Sequence, residues 1–281
     1  MPRNLTYSGY VPMWQIDANA HWSTEYYIRA FQQASERFLA PVIGRTPGAT
    51  TATVRHVRLF RELHALEAME VTSDWLPAGF GDYRTVHIMR NVATGDVSAC
   101  AFDQPLYPDR GVPEQQEDLD RLAPRGLPTG SQTAEDTAAL ITSGRACISH
   151  VGILRPAGFD HTGALSADAI HGCLSDGTGH LWQFSGVGAR DFYDNGLGRA
   201  IVEIKISRLG EAASPGQAIR MVSWFGEISG KTIQLRHQIE DLLSGAPIAA
   251  INVVSLVLDM KARRAVALPA SLRRKLLEAR S

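Results

Sequence analysis

The chain has 281 residues, 44% of them hydrophobic, enough apolar side chain for one large domain or two with packed cores. Lys and Arg number 28 against 29 Asp and Glu, a formal net charge of -1, which excludes wrapping of a polyanion: no nucleic acid partner is expected, and any anionic ligand has to be met by a local patch. The N-terminal residues lack the apolar core of a signal peptide, and the longest apolar run, 246–258, is interrupted by Asn252 and Ser255 and is too short to span a bilayer, so a cytoplasmic location with no membrane attachment is expected.

Cys100, Cys147 and Cys173 are far apart and lack a Cys-x-x-Cys spacing, which argues against a disulfide framework or a zinc site and for buried thiols.

Taken in order, residues 7–11 read as a short strand that Pro12 leads into a loop. Ser23 or Thr24 can cap a helix whose apolar positions Tyr27, Ala30, Phe31, Ala34 and Phe38 recur at steps of three and four. Pro41 and the run 44–48 break that pattern, and strand formers follow at 52–62, 67–77 and 82–92, with a fourth strand at 97–107 after the turn at Thr94-Gly95-Asp96. A strand, a helix and a run of antiparallel strands make an α+β layer in which the helix buries its apolar face on the sheet. From about 109 to 144 the composition turns to Pro, Gly and acidic residues, as in a solvated linker with at most a short helical turn at 134–141.

The first pattern then returns. Gly152 to Asp160 can be laid on Gly9 to Asp17, which places Ser166 on Ser23, Asp168 on Glu25 and a helical stretch at 167–174 on the first helix. Strands at 199–208, 217–228, 231–241 and 248–259 match the four of the first half. His87 and His237 fall in comparable strands, where packed histidines are the ordinary expectation. Residues 268–277 form a terminal helix opened by Pro269. The chain thus reads as an internal duplication: 1–108, a linker at 109–145, and 146–281.

The densest polar cluster is Asp17-x-Asn19-x-His21, immediately before the first helix. A helix N-terminus presents unpaired N–H donors and about half a positive charge, which suits a carboxylate or a carbonyl oxygen gaining charge. The competing reading is an Asx-type loop in which Asp17 and Asn19 hold backbone groups while His21 packs.

With Tyr27 added, the motif Asp17-x-Asn19-x-His21-x-x-x-x-x-Tyr27 in a duplicated strand-helix-strands chain resembles the double hot-dog thioesterases. It is similar to the plant acyl-carrier-protein thioesterases and to acyl-CoA thioesterases of the 4-hydroxybenzoyl-CoA class. The resemblance implies a tandem hot-dog α+β fold and hydrolysis of an acyl thioester to a carboxylic acid and a free thiol. It implies no cofactor and no metal, coenzyme A entering only as part of the substrate, and leaves room for a homo-oligomer of double hot-dog chains. Asp17 would be general base or nucleophile, Asn19 would hold the water or the thioester oxygen, and His21 would assist proton transfer. Glu25 is a further catalytic candidate, while Trp22, Ser23, Thr24, Tyr27 and Asp160 are candidates for substrate binding. Arg55, Arg58, Arg61, Arg84 and Arg90 are the candidates for a phosphate of the carrier.

Two departures stand out. Trp22-Ser23-Thr24 replaces the family's usual Val-Asn-Asn, and the second repeat keeps Asp160 but has Thr162 and Ala164 where Asn and His would stand, so one active site per chain is expected. The rival readings are a hot-dog hydratase or dehydratase, disfavoured by the His spacing and by Ile16 before Asp17, and a non-catalytic acyl-CoA-binding module.

Overall fold

The computed structural model describes residues 4–17, 19–43, 52–105, 118–210 and 212–281; the breaker run at 44–48 and the acidic stretch at 114–117 lie outside them. The chain divides into two compact units, Met1–Ser131 with Phe159–Ala169, and Gln132–Gly158 with Ile170–Ser281.

The first unit runs β1 (Leu5–Tyr10), a 3-10 turn (Met13–Gln15), α1 (Thr24–Ile43), β2 (Val54–Leu59), β3 (Ala68–Trp75), β4 (Thr85–Asn91), β5 (Val97–Gln104) and α2 (Leu119–Leu122). Its strands pair antiparallel in the order β1-β3-β4-β5-β2. The helical spacing does what it predicts: Tyr27, Ala30, Phe31 and Ala34 are buried, with Ile28 and Leu39 beside them, and α1 packs on β1, β3 and β4. Pro41 does not stop the helix, contrary to expectation; it sits in the last turn, two residues before the end, where few hydrogen bonds remain to be broken.

Val86, Ile88, Cys100 and Phe102 face away from α1 into a second cluster closed by Leu76, Tyr83 and Leu122. The described part of the expected linker is therefore packed as well as solvated, because α2 sets Leu119 and Leu122 against the sheet.

The second unit contains α3 (Thr137–Thr142), β6 (Ala146–Ile153), a 3-10 turn (Pro156–Gly158), most of α4 (Ala167–Phe184), α5 (Ala189–Asp194), β7 (Leu197–Arg208), β8 (Ala218–Ser229), β9 (Thr232–Asp241), β10 (Pro247–Asp259), β11 (Arg264–Ala265) and α6 (Ala270–Arg280). The order β7-β10-β9-β8-β6 repeats that of the first unit, strand for strand, with β11 added on β10. The duplication seen in the sequence is thus a duplication of topology, and the fold is the α+β tandem hot-dog. α4 runs ten residues past its expected end at 174, through Gly177 and Gly179, and α5 has no counterpart in the sequence reading. Cys100 and Cys173 are buried free thiols, whereas Cys147 is only partly buried. Among the described residues, no helix is long and apolar enough to cross a membrane.

Candidate active site

Asp17 lies in the loop between the first 3-10 turn and α1. The loop closes on itself: Asp17 N–H donates to His21 O at 2.7 Å, Ala20 N–H to Asp17 O at 3.0 Å, and Ile16 bridges Trp22. Asp17 Oδ1 accepts the N–H groups of Asn19 at 2.8 Å and of His21 at 3.0 Å. Ala20 takes a φ of 63°, the left-handed region that usually calls for glycine. Asp17 and Asn19 are exposed.

The second repeat builds the same loop. Asp160 N–H donates to Ala164 O at 2.8 Å, Gly163 N–H to Asp160 O at 2.9 Å, and Phe159 bridges Leu165. Asp160 Oδ1 accepts from the N–H groups of Thr162 at 2.9 Å and Ala164 at 3.1 Å, and Gly163 has a φ of 82° where Ala20 stands in the first loop. An aspartate oxygen here therefore holds the loop in both repeats, the Asx role. What the first loop adds is Asn19 and His21, against Thr162 and Ala164.

A partner that the sequence reading did not single out completes the first loop. The chain leaving β2 runs beside it, with Trp22 N–H donating to Leu63 O at 2.7 Å, His21 bridging His64, and Leu63 N–H donating to Tyr27 OH at 2.8 Å. This pairing puts Glu62 Oε1 3.1 Å from His21 Nδ1; the His21 side chain is 16% exposed and that of Glu62 40%. A proton on Nδ1 directed at Glu62 leaves the Nε2 lone pair to act. The His64 ring stands edge-on to His21 at 5.2 Å. No spacing rule links positions 21 and 62, which only the strand-like pairing brings together.

The other candidates divide. Ser23 opens α1 by accepting Tyr26 N–H at 3.0 Å on its carbonyl, and Thr24 and Glu25 form the first turn, half-buried, with the Glu25 carboxyl at the positive end of the helix. Trp22 and Tyr27 are core residues: Trp22 Nε1 donates to Gln15 Oε1 at 2.9 Å, and the two rings pack 4.6 Å apart. Burial pushes the Tyr27 phenol well above its ordinary value, so it stays protonated.

Arg55 is removed from the list of phosphate ligands. It is buried, gripping Asp103 through Nε at 2.9 Å and Nη2 at 2.6 Å, and its Nη1 donates to Gln32 Oε1 at 3.0 Å. His87 Nε2 lies 3.3 Å from Asp103 and its Nδ1 2.6 Å from Ser73 Oγ, which in turn meets Thr6 Oγ1 at 2.6 Å. Burial alone would raise the Asp103 carboxyl, but Arg55 and His87 outweigh it and hold the group well below the usual carboxylate range. The second repeat keeps the hydroxyl–imidazole part, Ser149–Ser223–His237. Both histidines are fully buried, as expected of packed residues.

A family model described as Thioesterase-like superfamily matches residues 11–108 and 154–276. No curated protein matches the sequence. Among solved structures, the chain is similar to an acyl-ACP thioesterase from Bacteroides thetaiotaomicron at 9% identity and a TM-score of 0.56, covering 89% of this chain and 96% of that one. It is similar to the 12:0-ACP thioesterase from Umbellularia californica at 11% identity and a TM-score of 0.54, covering 89% and 92%. A tesB protein from Mycobacterium avium subs paratuberculosis matches at 10% identity and a TM-score of 0.55, covering 92% and 94%. At these identities the likeness is one of fold.

Proposed function

The chain belongs to the thioesterase-like superfamily, and from that premise we propose that it hydrolyses an acyl thioester, carried by coenzyme A or by an acyl carrier protein, at the 17–21 loop. The observation that carries this reading is His21 Nδ1 held 3.1 Å from Glu62 Oε1 in the loop that leads into α1, where Asp17 Oδ1 accepts the His21 N–H at 3.0 Å.

Hydrolysis needs attack on the carbonyl carbon, a site for the oxyanion and a proton for the departing sulfur. The N–H groups of the first turn of α1, around Glu25, receive the oxyanion. The Asp17 oxygen that does not hold the loop activates water or attacks the carbonyl itself, and Asn19 orients the water or the thioester oxygen. His21, backed by Glu62, moves the proton: the C–S bond breaks, water supplies the new C–O bond, and the thiolate leaves as the thiol. A second reading is favoured by the matching bonds of Asp160, which hold a loop that has Ala164 at the position of His21. On it, Asp17 only shapes the loop and His21 is itself the base.

Thiol release over short, long, branched and aromatic acyl-CoA esters tests the proposal. Wild type is expected to hydrolyse at least one ester, and Asp17→Ala to lose at least ~100-fold in turnover while staying folded. Asp17→Asn keeps an oxygen to accept the two loop N–H groups but loses the charge. A loss as large as that of Asp17→Ala identifies the carboxylate as the reacting group, whereas near-wild-type turnover assigns the base to His21. His21→Ala is expected to lose ~100-fold and Glu62→Gln about tenfold. Wild-type turnover in both His21→Ala and Asp17→Ala would end the proposal.

A further inference from the structure

The second unit keeps one cation in an apolar corner. Arg199, near the start of β7, sets its Cζ 4.0 Å from the centre of the Trp182 ring and 4.8 Å from that of the Phe192 ring. Those two rings stand at 89° to each other with centres 5.5 Å apart, and both are buried, so α4 and α5 each supply one wall. The guanidinium carries five N–H donors, yet among the described residues none of them meets a carbonyl or a carboxylate. None of its nitrogens is sealed from solvent either, so the donors open outward. Burial pulls the group down to about 10, and no neighbouring acid acts to restore it.

The acids of α5 and of the paired end of β10 are engaged elsewhere. Asp191 Oδ2 accepts the Gly188 N–H at 2.7 Å and its Oδ1 lies 3.8 Å from Lys275 Nζ; Asp194 Oδ2 lies 3.5 Å from Arg190 Nε; Asp259 Oδ1 accepts the N–H groups of Lys261 at 3.0 Å and Ala262 at 2.8 Å. The repeated architecture does not require the cation. β7 has twelve residues where β2 has six, and with His237 laid on His87 the ladders put Ile204 on Arg55, so Arg199 falls ahead of the start of β2 at Val54. A leucine or methionine would cover the two rings at no electrostatic cost, whereas a half-buried cation is kept at a cost that its attraction to the rings offsets only in part.

We propose that Arg199 anchors a binding site for a small monocarboxylate. A guanidinium presents its N–H groups as a planar fork that meets both oxygens of a carboxylate at once, and two ring walls limit how that fork can turn. The charge balance selects a monoanion. A phosphate dianion calls for a second cation, and the cations of α5 and α6 are taken: Lys275 Nζ donates to the Gly186 carbonyl at 3.0 Å beside Asp191, and Arg190 pairs with Asp194. The ligand is either the acid that thioester hydrolysis releases or another small organic acid, and the chemistry that Arg199 reads is the same. The site belongs to the second unit and stands without the thioesterase reading.

Calorimetric titration of the full-length protein with hexanoate, benzoate, their two amides and inorganic phosphate tests the site. The proteins are wild type, Arg199→Met, which keeps the rings covered, Arg199→Lys, which keeps the charge but loses the fork, and His21→Ala. Wild type is expected to bind at least one acid about tenfold more tightly than its amide, and Arg199→Met to bind that acid about tenfold more weakly with the preference over the amide gone. Arg199→Lys is expected to lose about threefold and His21→Ala to match wild type. A preferred acid that matches the acyl group of the ester hydrolysed fastest identifies the reaction's own product as the ligand, and preference for the other acid identifies a separate organic acid; both support the site. Should no ester be hydrolysed, the thioesterase reading fails by itself and the titrations still decide the site. The proposal is overturned by absent binding of both acids to wild type, by amides that bind as tightly as the acids, or by phosphate that binds more tightly than either acid. A loss in His21→Ala that the Arg199 variants do not share puts the bound acid at the 17–21 loop and overturns it too. Should Arg199→Met fail to fold, Arg199→Lys decides, and unchanged binding by it overturns the proposal.

Discussion

At the scale of single residues, the two copies of one loop separate shape from chemistry. Asp17 and Asp160 make the same pair of backbone hydrogen bonds, so their presence is explained by folding before any reaction is considered. The left-handed position is Gly163 in one copy and Ala20 in the other, and only the second is strained. Ala20→Gly is therefore expected to raise stability by about 1 kcal/mol, read as a higher urea midpoint with an unchanged slope. A lower midpoint would mean that the Ala20 methyl group has packing value in the loop that outweighs its backbone strain. Arg55 shows the opposite relation between sequence and role. Read as one of five equivalent cations, it is in fact a buried ion-pair residue, and its partner Asp103 would be left as an unpaired buried charge without it.

At the scale of elements, α4 tests how glycine is used. Gly177 faces the sheet, where an added Cβ would lie 2.5 Å from Met221 Cε and 3.1 Å from the Ser149 carbonyl. Gly172 and Gly179 have nothing within 4 Å. Alanine is the better helix former by about 0.8–1 kcal/mol, so Gly172→Ala and Gly179→Ala are expected to raise the thermal midpoint. Gly177→Ala is expected to lower it, overpacking costing about 1–3 kcal/mol and exceeding the propensity gain. Three changes of the same sign in thermal melts would refute the packing argument. The same glycines explain why α4 reads from sequence as a helix ending near 174. Low helix propensity at 177 and 179 interrupts the pattern, while burial of Leu181 and Trp182 continues the helix to Phe184.

At the scale of the whole molecule, pH bears on stability through groups that the reaction does not use. Burial pushes His171 down to about 4 and His237 down to about 3, so both imidazoles are neutral in the native state. The unfolded chain takes up protons on them below about 6.5, its ordinary value. The stability they permit is thus complete above about 6.5 and is lost progressively as pH falls from there toward 3 to 4. Asp103, held low, adds a loss only below its unfolded value near 3.8, outside most of that window. Urea midpoints at steps from pH 7.5 to 4.5 are expected to decline, with a shallower decline in His237→Gln. A flat profile between pH 7 and 5 would show that the two imidazoles gain protons without opening the core.

The sequence by itself determined the secondary structure of most of both halves, their duplication, and the motif by which the chain resembles the hot-dog thioesterases. Each of these is written in local periods: helical spacing, strand-former runs, and polar residues a fixed few steps from a helix start. Tertiary structure alone decided which neighbours these groups take. That Glu62 backs His21 and that Arg55 is locked on Asp103 both follow from pairing and packing between residues distant in the chain. The physical reason is that hydrogen-bond partnership and desolvation are properties of a neighbourhood, and a neighbourhood of this kind exists only once the strands have chosen their order and register.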